Sequence, residues 1–220
     1  MSQKKTHVYF IPGLAAGVKI FGNIELPSER YSVHFLEWLI PENDESIFDY
    51  AKRMASFVTH ENSVLVGVSF GGVIAQEMSV FLKIKKLIII SSVKTRYELP
   101  RRMKIARRFF IYKLIPTRFV LSANDLTRFS VGPKSKKRLR IYQEYLHVRD
   151  KKYLDWAIKN MVCWNRKTPV KNIIHIHGDK DLIFPIKYIK NCEVLPGGTH
   201  VMVINKGKVL SKILMKKINK

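Results

Sequence analysis

Gly67, Ser69 and Gly71 stand in the order G-x-S-x-G, between an apolar β-forming run at Val64 to Val66 and a helix-forming run at Val73 to Phe81. That placement lets a serine act as a nucleophile. On a sharp strand-to-helix turn the serine backbone is strained and its hydroxyl stands clear of the sheet. The residues two places away on either side must be glycine, because larger side chains would strike the adjoining elements. The helix that begins beside the serine aims backbone N–H groups and the positive end of its dipole at any oxyanion formed there. The pattern alone arises by chance in about 5 to 10% of chains this long, given ordinary glycine and serine usage. Its position between a strand and a helix is far rarer.

A serine hydroxyl is a weak nucleophile near neutral pH, so Ser69 needs a general base, and the base needs a carboxylate to fix its tautomer. In a sheet of this kind the chain order is serine, acid, histidine. Among the seven histidines, His175, His177 and His200 follow Ser69 near strand ends. His200 lies in Pro196-Gly197-Gly198-Thr199-His200, a loop from which a side chain can swing over the sheet edge, and is the expected base. His175 and His177 alternate within a strand and read as structural. For the acid, Asp179 and Asp181 both follow that strand. Asp181 sits deeper in the loop, can turn back towards a histidine from the next loop, and is favoured. Asp179 directly follows Gly178 and reads as a turn hydrogen bonder. No carboxylate follows the preceding strand at Ser91-Ser92-Val93.

The elements that must position these groups alternate over the first ninety residues. Strand signals occur at His7 to Ile11, Ser32 to Phe35, Ser63 to Val66 and Leu87 to Ile90. Helical patterns lie between them at Ser46 to Val58, with Ser46 as N-cap, and at Gly72 to Phe81. Near-continuous apolar strands alternating with helices predict a parallel sheet covered on both faces. From Ser91 to about Lys167 the rhythm gives way to helices at Arg101 to Leu114, Arg118 to Phe129, Lys134 to Val148 and Lys151 to Val162, broken at Gly132-Pro133. Strands resume at Asn172 to His177 and Cys192 to Leu195, and an amphipathic helix runs from Lys206 to Ile218.

The chain has 220 residues, 46% of them apolar, which fits one globular domain and argues against disorder. Only the short run His7 to Ile11 follows the amino-terminal Met1-Ser2-Gln3-Lys4-Lys5, so neither a signal peptide nor a membrane span is expected, and the expected location is cytoplasmic. Cys163 and Cys192 fit no metal or redox spacing and read as buried thiols. The net charge of +23 is unevenly spread. Residues 1–93 carry nine basic and nine acidic side chains, 94–167 carry twenty-one against five, and 168–220 carry ten against three. A basic block of this kind is a solvated surface or a docking face for an anionic partner.

Gly67 to Gly71, the acid loop from His177-Gly178 through Asp181 to Pro185, and Gly197-Gly198-Thr199-His200 together resemble the α/β-hydrolase superfamily, in its order and at its spacing. The resemblance covers residues 5–93 and 168–220. It implies an α/β fold with a mostly parallel, doubly wound sheet of about six strands in the order 2-1-3-4-5-6. It also implies a single domain over 1–220, with residues 94–167 inserted as a helical lid. It places the oxyanion hole at the backbone N–H groups of Phe70 and Leu14, the latter in the loop Pro12-Gly13-Leu14, where many members have His-Gly. The implied activity is hydrolysis of a carboxylic ester or thioester through an acyl-enzyme, by Ser69, His200 and Asp181, with no metal or organic cofactor.

Such a lid shapes the acyl pocket, for which Phe109, Phe110, Tyr112, Leu114, Ile115, Phe119, Val120 and Leu121 are candidates, with packing inside the lid as the plainer role. Arg101, Arg102, Lys104, Arg107 and Arg108 share its first helix, with Arg101, Lys104 and Arg108 on one stripe. Lys134, Lys136, Lys137, Arg138 and Arg140 form a second run. An anionic carrier, an acyl carrier protein or coenzyme A, is the partner these would dock. Nucleic acid is disfavoured because no reading motif accompanies the charge. The rival readings are a non-catalytic binding protein that holds an anionic partner on the basic lid, and a lyase or acyltransferase working with the same three side chains.

Overall fold

The structure, a computed structural model, describes residues 5–113 and 145–220. Six strands form one sheet in the order β2-β1-β3-β4-β5-β6, with every neighbouring pair parallel. They are β1 (Thr6–Ile11), β2 (Tyr31–Phe35), β3 (Ser63–Val68), β4 (Ile84–Ile90), β5 (Ile174–Gly178) and β6 (Glu193–Leu195). Strand order and direction match the expectation, and each expected strand is present to within a few residues.

Alternation along the strands divides the interior into two layers. Tyr9, Ile11, Leu65 and Leu87 face a layer completed by α1 (Ile47–Ala55), α2 (Phe70–Met78) and α4 (Lys151–Cys163). Val8, Phe10, Val64, Val66, Ile88 and Ile90 face the other, closed by the short α5 (Met202–Asn205) and by α6 (Gly207–Asn219) through Leu210, Leu214 and Ile218. Burial on both faces explains why the central strands are apolar throughout. Ser46 caps α1 as expected: its hydroxyl oxygen accepts from the Asp49 N–H at 3.1 Å, an arrangement that stabilises a helix by about 1 kcal/mol. Asp150 does the same for α4, accepting from the Tyr153 N–H at 2.8 Å.

Between β4 and β5 the described chain departs from strands. The helix expected from Arg101 to Leu114 is the shorter α3 (Arg101–Arg108), followed by a 3₁₀ turn at Ile111–Lys113. Phe110 takes a positive φ of 54°, which ends the helix, and like charges three and four residues apart in Arg101, Lys104, Arg107 and Arg108 weaken it further. The helix expected at Lys134 to Val148 does not extend past Tyr145, since Leu146 to Asp150 are not helical. Its earlier part, and the helix expected at Arg118 to Phe129, lie outside the described residues. The two ends of this segment meet where the Arg96 N–H donates to the Arg166 carbonyl at 2.9 Å. The Arg166 guanidinium and the Trp164 indole N–H both reach Glu77 Oε1, at 3.0 and 2.9 Å, tying the exit of the segment to α2. Cys163 and Cys192 are free thiols, half-buried rather than buried. Among the described residues no helix is long and apolar enough to cross a membrane.

Candidate active site

Ser69 sits at the junction of β3 and α2 with φ 54° and ψ −120°, a conformation that non-glycine residues avoid. Contacts on every side hold it there. The Ser69 N–H donates to the Ile90 carbonyl at 2.9 Å, and the Ser69 carbonyl accepts from the Gly72 N–H at 2.9 Å and from the Ser92 hydroxyl at 2.7 Å. The two elbow glycines are required by close approach. A Cβ on Gly67 would lie 2.4 Å from the Gly71 carbonyl oxygen, and one on Gly71 would lie 2.2 Å from the Pro12 carbonyl oxygen. The turn that presents the serine is therefore pressed against the loop after β1.

The acid and histidine loops are brought together by a second glycine contact. Gly178 ends β5, and a Cβ there would meet the Gly198 carbonyl oxygen at 2.1 Å. The Lys180 N–H also donates to that oxygen, at 2.9 Å. The result is a continuous line of hydrogen bonds: His200 Nε2 lies 2.9 Å from Ser69 Oγ, and His200 Nδ1 lies 2.9 Å from Asp181 Oδ2. Asp181 Oδ1 accepts from the backbone N–H groups of Ile183 and Phe184, both at 2.8 Å, so the carboxylate is fully buried yet satisfied on both oxygens. Burial by itself would raise the Asp181 pKa. The charge and hydrogen bond of His200, the Phe184 N–H and His177 outweigh it and hold the carboxyl below its ordinary range. Asp179 does not reach His200, and the turn hydrogen bond expected of it is absent at Oδ1, which is buried with no partner.

His177 is closer to the site than the sequence indicated. Its Nε2 is 3.6 Å from Asp181 Oδ2, yet donates to the Phe184 carbonyl at 2.8 Å, leaving Nδ1 to accept from His175 Nε2 at 3.1 Å. Burial lowers the pKa of both histidines, helped by His177 at His175 and outweighing the opposing pull of Asp181 and the Phe184 carbonyl at His177, so this pair backs the carboxylate as neutral rings. His175 and His177 alternate within β5 as expected, and the turn of the following loop puts Asp181 beside His177. Phe184 closes the other side, edge-on to the His200 ring at 5.4 Å.

The loop after β1 is fixed by its carbonyls. The Gly13 oxygen accepts from the Trp38 indole N–H at 3.1 Å and from the Ala16 N–H at 3.0 Å. In a trans peptide this turns the Leu14 N–H the opposite way. Ala15, at φ 63°, gives its carbonyl to the Val148 N–H at 3.1 Å, and the Gly17 N–H donates to the Tyr145 carbonyl at 3.1 Å. A Cβ on Gly13 would lie 3.4 Å from Ser69 Cβ, in ordinary contact, so the loop lies directly beside the nucleophile turn. Phe70, the first residue of α2, buries its ring against Trp38 and Trp156, at centroid distances of 5.7 and 6.0 Å. Its N–H belongs to the first helical turn, whose donors have no partner within the helix.

Of the five cations singled out on α3, three are engaged within the molecule. Arg102 donates to the carbonyls of Leu182 and Ile183, Lys104 to that of Tyr97, and Arg107 to Asn165 Oδ1. Phe109 and Phe110 are exposed, and Tyr112 is half-buried. Leu114, Ile115, Phe119, Val120 and Leu121, with the basic run Lys134, Lys136, Lys137, Arg138 and Arg140, lie outside the described residues.

No protein-family model matches the sequence, and no curated protein matches it. Solved structures do. A hydrolase from Oleispira antarctica superposes with a TM-score of 0.76 at 13% identity, over 100% of this chain and 93% of the other. A thermophilic esterase from Thermogutta terrifontis gives 0.75 at 14% identity, over 100% and 92%. A bromoperoxidase from Bacillus anthracis gives 0.69 at 16% identity, over 99% and 93%. The chain has the α/β-hydrolase fold.

Proposed function

We propose that the chain is a serine hydrolase that cleaves a carboxylic ester or thioester through an acyl-enzyme. The observation that carries this reading is the unbroken Ser69–His200–Asp181 line on a strained serine backbone. Ser69 Oγ attacks the acyl carbon as His200 Nε2 takes its proton, and Asp181 steadies the imidazolium. The tetrahedral oxyanion is held by the N–H groups of Phe70 and Leu14. Collapse expels the alcohol or thiol, which receives the proton from His200. Water, deprotonated by the same nitrogen, then releases the acid and restores Ser69. Hydrolase and esterase names among proteins of this fold agree with the assignment, although a fold alone does not select a reaction.

In this reading residues 94–167 form the lid, and Arg101 and Arg108, on the same exposed stripe of α3, face an anionic carrier of the acyl group such as an acyl carrier protein or coenzyme A. The test is labelling with an alkyl fluorophosphonate, followed by turnover of a chain-length series of nitrophenyl esters and acyl thioesters. Ser69→Ala should lose the label and slow turnover by about 10⁶, as loss of a triad nucleophile does. Turnover undiminished in that variant would remove the serine mechanism. Labelling without hydrolysis of any ester or thioester would favour the transferase or lyase alternative.

A further inference from the structure

Three imidazoles that the Ser69 site does not use converge at the β2 edge of the sheet. His7 belongs to β1, His34 to β2, and His60 to the turn between α1 and β3. Parallel register places His34 opposite Tyr9 and Ser32 opposite His7, and the strand period turns His7 and Tyr9 to one face. His7 Nδ1 and His34 Nε2 are 3.0 Å apart. The His60 ring stacks on His7 with centroids 3.5 Å apart, and its Nδ1 is 2.6 Å from the Tyr9 hydroxyl. One nitrogen from each ring lies within 4.8 Å of the other two, and among the described residues no cysteine or carboxylate joins this group.

A tetrahedral ion with nitrogen ligands at ~2.0–2.1 Å sets those nitrogens roughly 3.3 Å apart. The His7 and His34 nitrogens are already near that spacing. His60 lies on a turn flanked by exposed Thr59 and Glu61, and to aim a nitrogen at the same point its side chain would rotate off the His7 ring and release the Tyr9 hydroxyl. None of the three rings is buried, so an ion can reach them from solvent. A donor set of imidazoles alone suits Zn²⁺, Ni²⁺ or Cu²⁺ and not the oxygen-seeking Mg²⁺ or Ca²⁺.

We propose that His7, His34 and His60 form a binding site for a divalent transition-metal ion of the Zn²⁺ class, with water in the remaining position. Neutral imidazoles bind such an ion without net proton release, provided each ring adopts the tautomer that bares its inward nitrogen. The ion links β1, β2 and the turn that leads into β3, three segments far apart in the chain. This site stands independently of the reaction at Ser69.

The test is titration of the untagged protein with Zn²⁺ by calorimetry and with Co²⁺ by visible absorption. One equivalent of Zn²⁺ should bind, and Co²⁺ should give the intense band of a low-coordinate nitrogen site. His60→Ala, a change on a surface turn, should lower Zn²⁺ affinity by at least ~100-fold, the upper end of what loss of a supporting partner alone costs. It should also abolish the Co²⁺ band and leave nitrophenyl ester turnover in metal-free buffer unchanged. His34→Gln should reproduce the loss of affinity. Failure to bind one equivalent, or affinity unchanged in both variants, would overturn the proposal and leave the rings as a stacked, hydrogen-bonded patch beside Tyr9.

Discussion

The Arg102 guanidinium, on α3, donates to the Leu182 carbonyl at 2.8 Å and to the neighbouring Ile183 carbonyl at 2.7 Å. Those two residues directly follow Asp181, and the Ile183 N–H is one of the two backbone donors on its carboxylate. A cation that composition alone would assign to the surface thus braces the loop that carries the acid. Arg102→Ala should reduce turnover of small and carrier-linked substrates alike, by roughly 10- to 100-fold, the scale on which a slight misplacement of catalytic groups acts. Steady-state kinetics should show the loss in kcat rather than KM. Arg102→Lys should recover only part of it, since an ammonium lacks the planar fork.

Arg101 and Arg108 make the contrasting case. If they dock an anionic carrier, Arg101→Glu combined with Arg108→Glu should raise KM for carrier-linked acyl substrates and spare neutral nitrophenyl esters. The difference should fade with added salt, because attraction is screened beyond about 8 Å at physiological ionic strength. Equal KM values for wild type and variant on both substrate classes would reduce the basic stripe to a solvated surface.

The two aspartates of the acid loop are separable by a single-atom change. Asp181→Asn should leave the fold intact and cut ester turnover by about 10⁴, because an amide on His200 Nδ1 favours the wrong imidazole tautomer. Asp179→Asn should cost far less, as Asp179 makes no contact with His200. A reversed ranking in kcat/KM would reassign the acid.

Burial gives the His175 and His177 pair a pH signature. Both folded pKa values lie below the ordinary 6.5. Below about 6.5 the unfolded chain therefore binds more protons than the folded one, and stability falls as pH drops through that value towards the folded pKa. The loss is at most ~1.4 kcal/mol per pH unit for each histidine. Asp181, also lowered, adds a further loss only at more acidic pH, as pH falls through its folded value below the ordinary 3.8. His34 shares the same sign, so the comparison must be between variants. Urea midpoints measured at about pH 7.5 and about pH 5.5 should differ less in His177→Gln than in wild type.

Much of this was legible in the chain because short-range patterns encode it. Alternating apolar runs and helical stripes gave all six strands, the family resemblance implied their order, and the Ser46 cap of α1 was evident from residue type. Ser69, Asp181 and His200 were picked out as loop residues after the third, fifth and sixth strands, and the folded chain brings these three together. What escaped notice depends on distant contacts. Nothing in the sequence neighbourhood of Ser92 says that its hydroxyl will hold the Ser69 carbonyl, or that His177 will stand behind Asp181. His7, His34 and His60 have no recognisable ligand spacing, since their meeting depends on strand register and one turn. The end of α3 was misjudged because apolar Phe109 and Phe110 continue a helical pattern that the backbone abandons.

The 131-residue separation between Ser69 and His200 governs when reactivity can arise during synthesis. The elbow can form once β3, β4 and the loop after β1 are made. That loop is still unfinished until residues 145–148 arrive to hold Ala15 and Gly17. The base comes later still, after β6. Under the proposed mechanism a nascent chain would therefore carry an inert serine through most of its translation, with Ser69 gaining its base only once the last parallel strand has docked, a long-range event and for that reason a slow one.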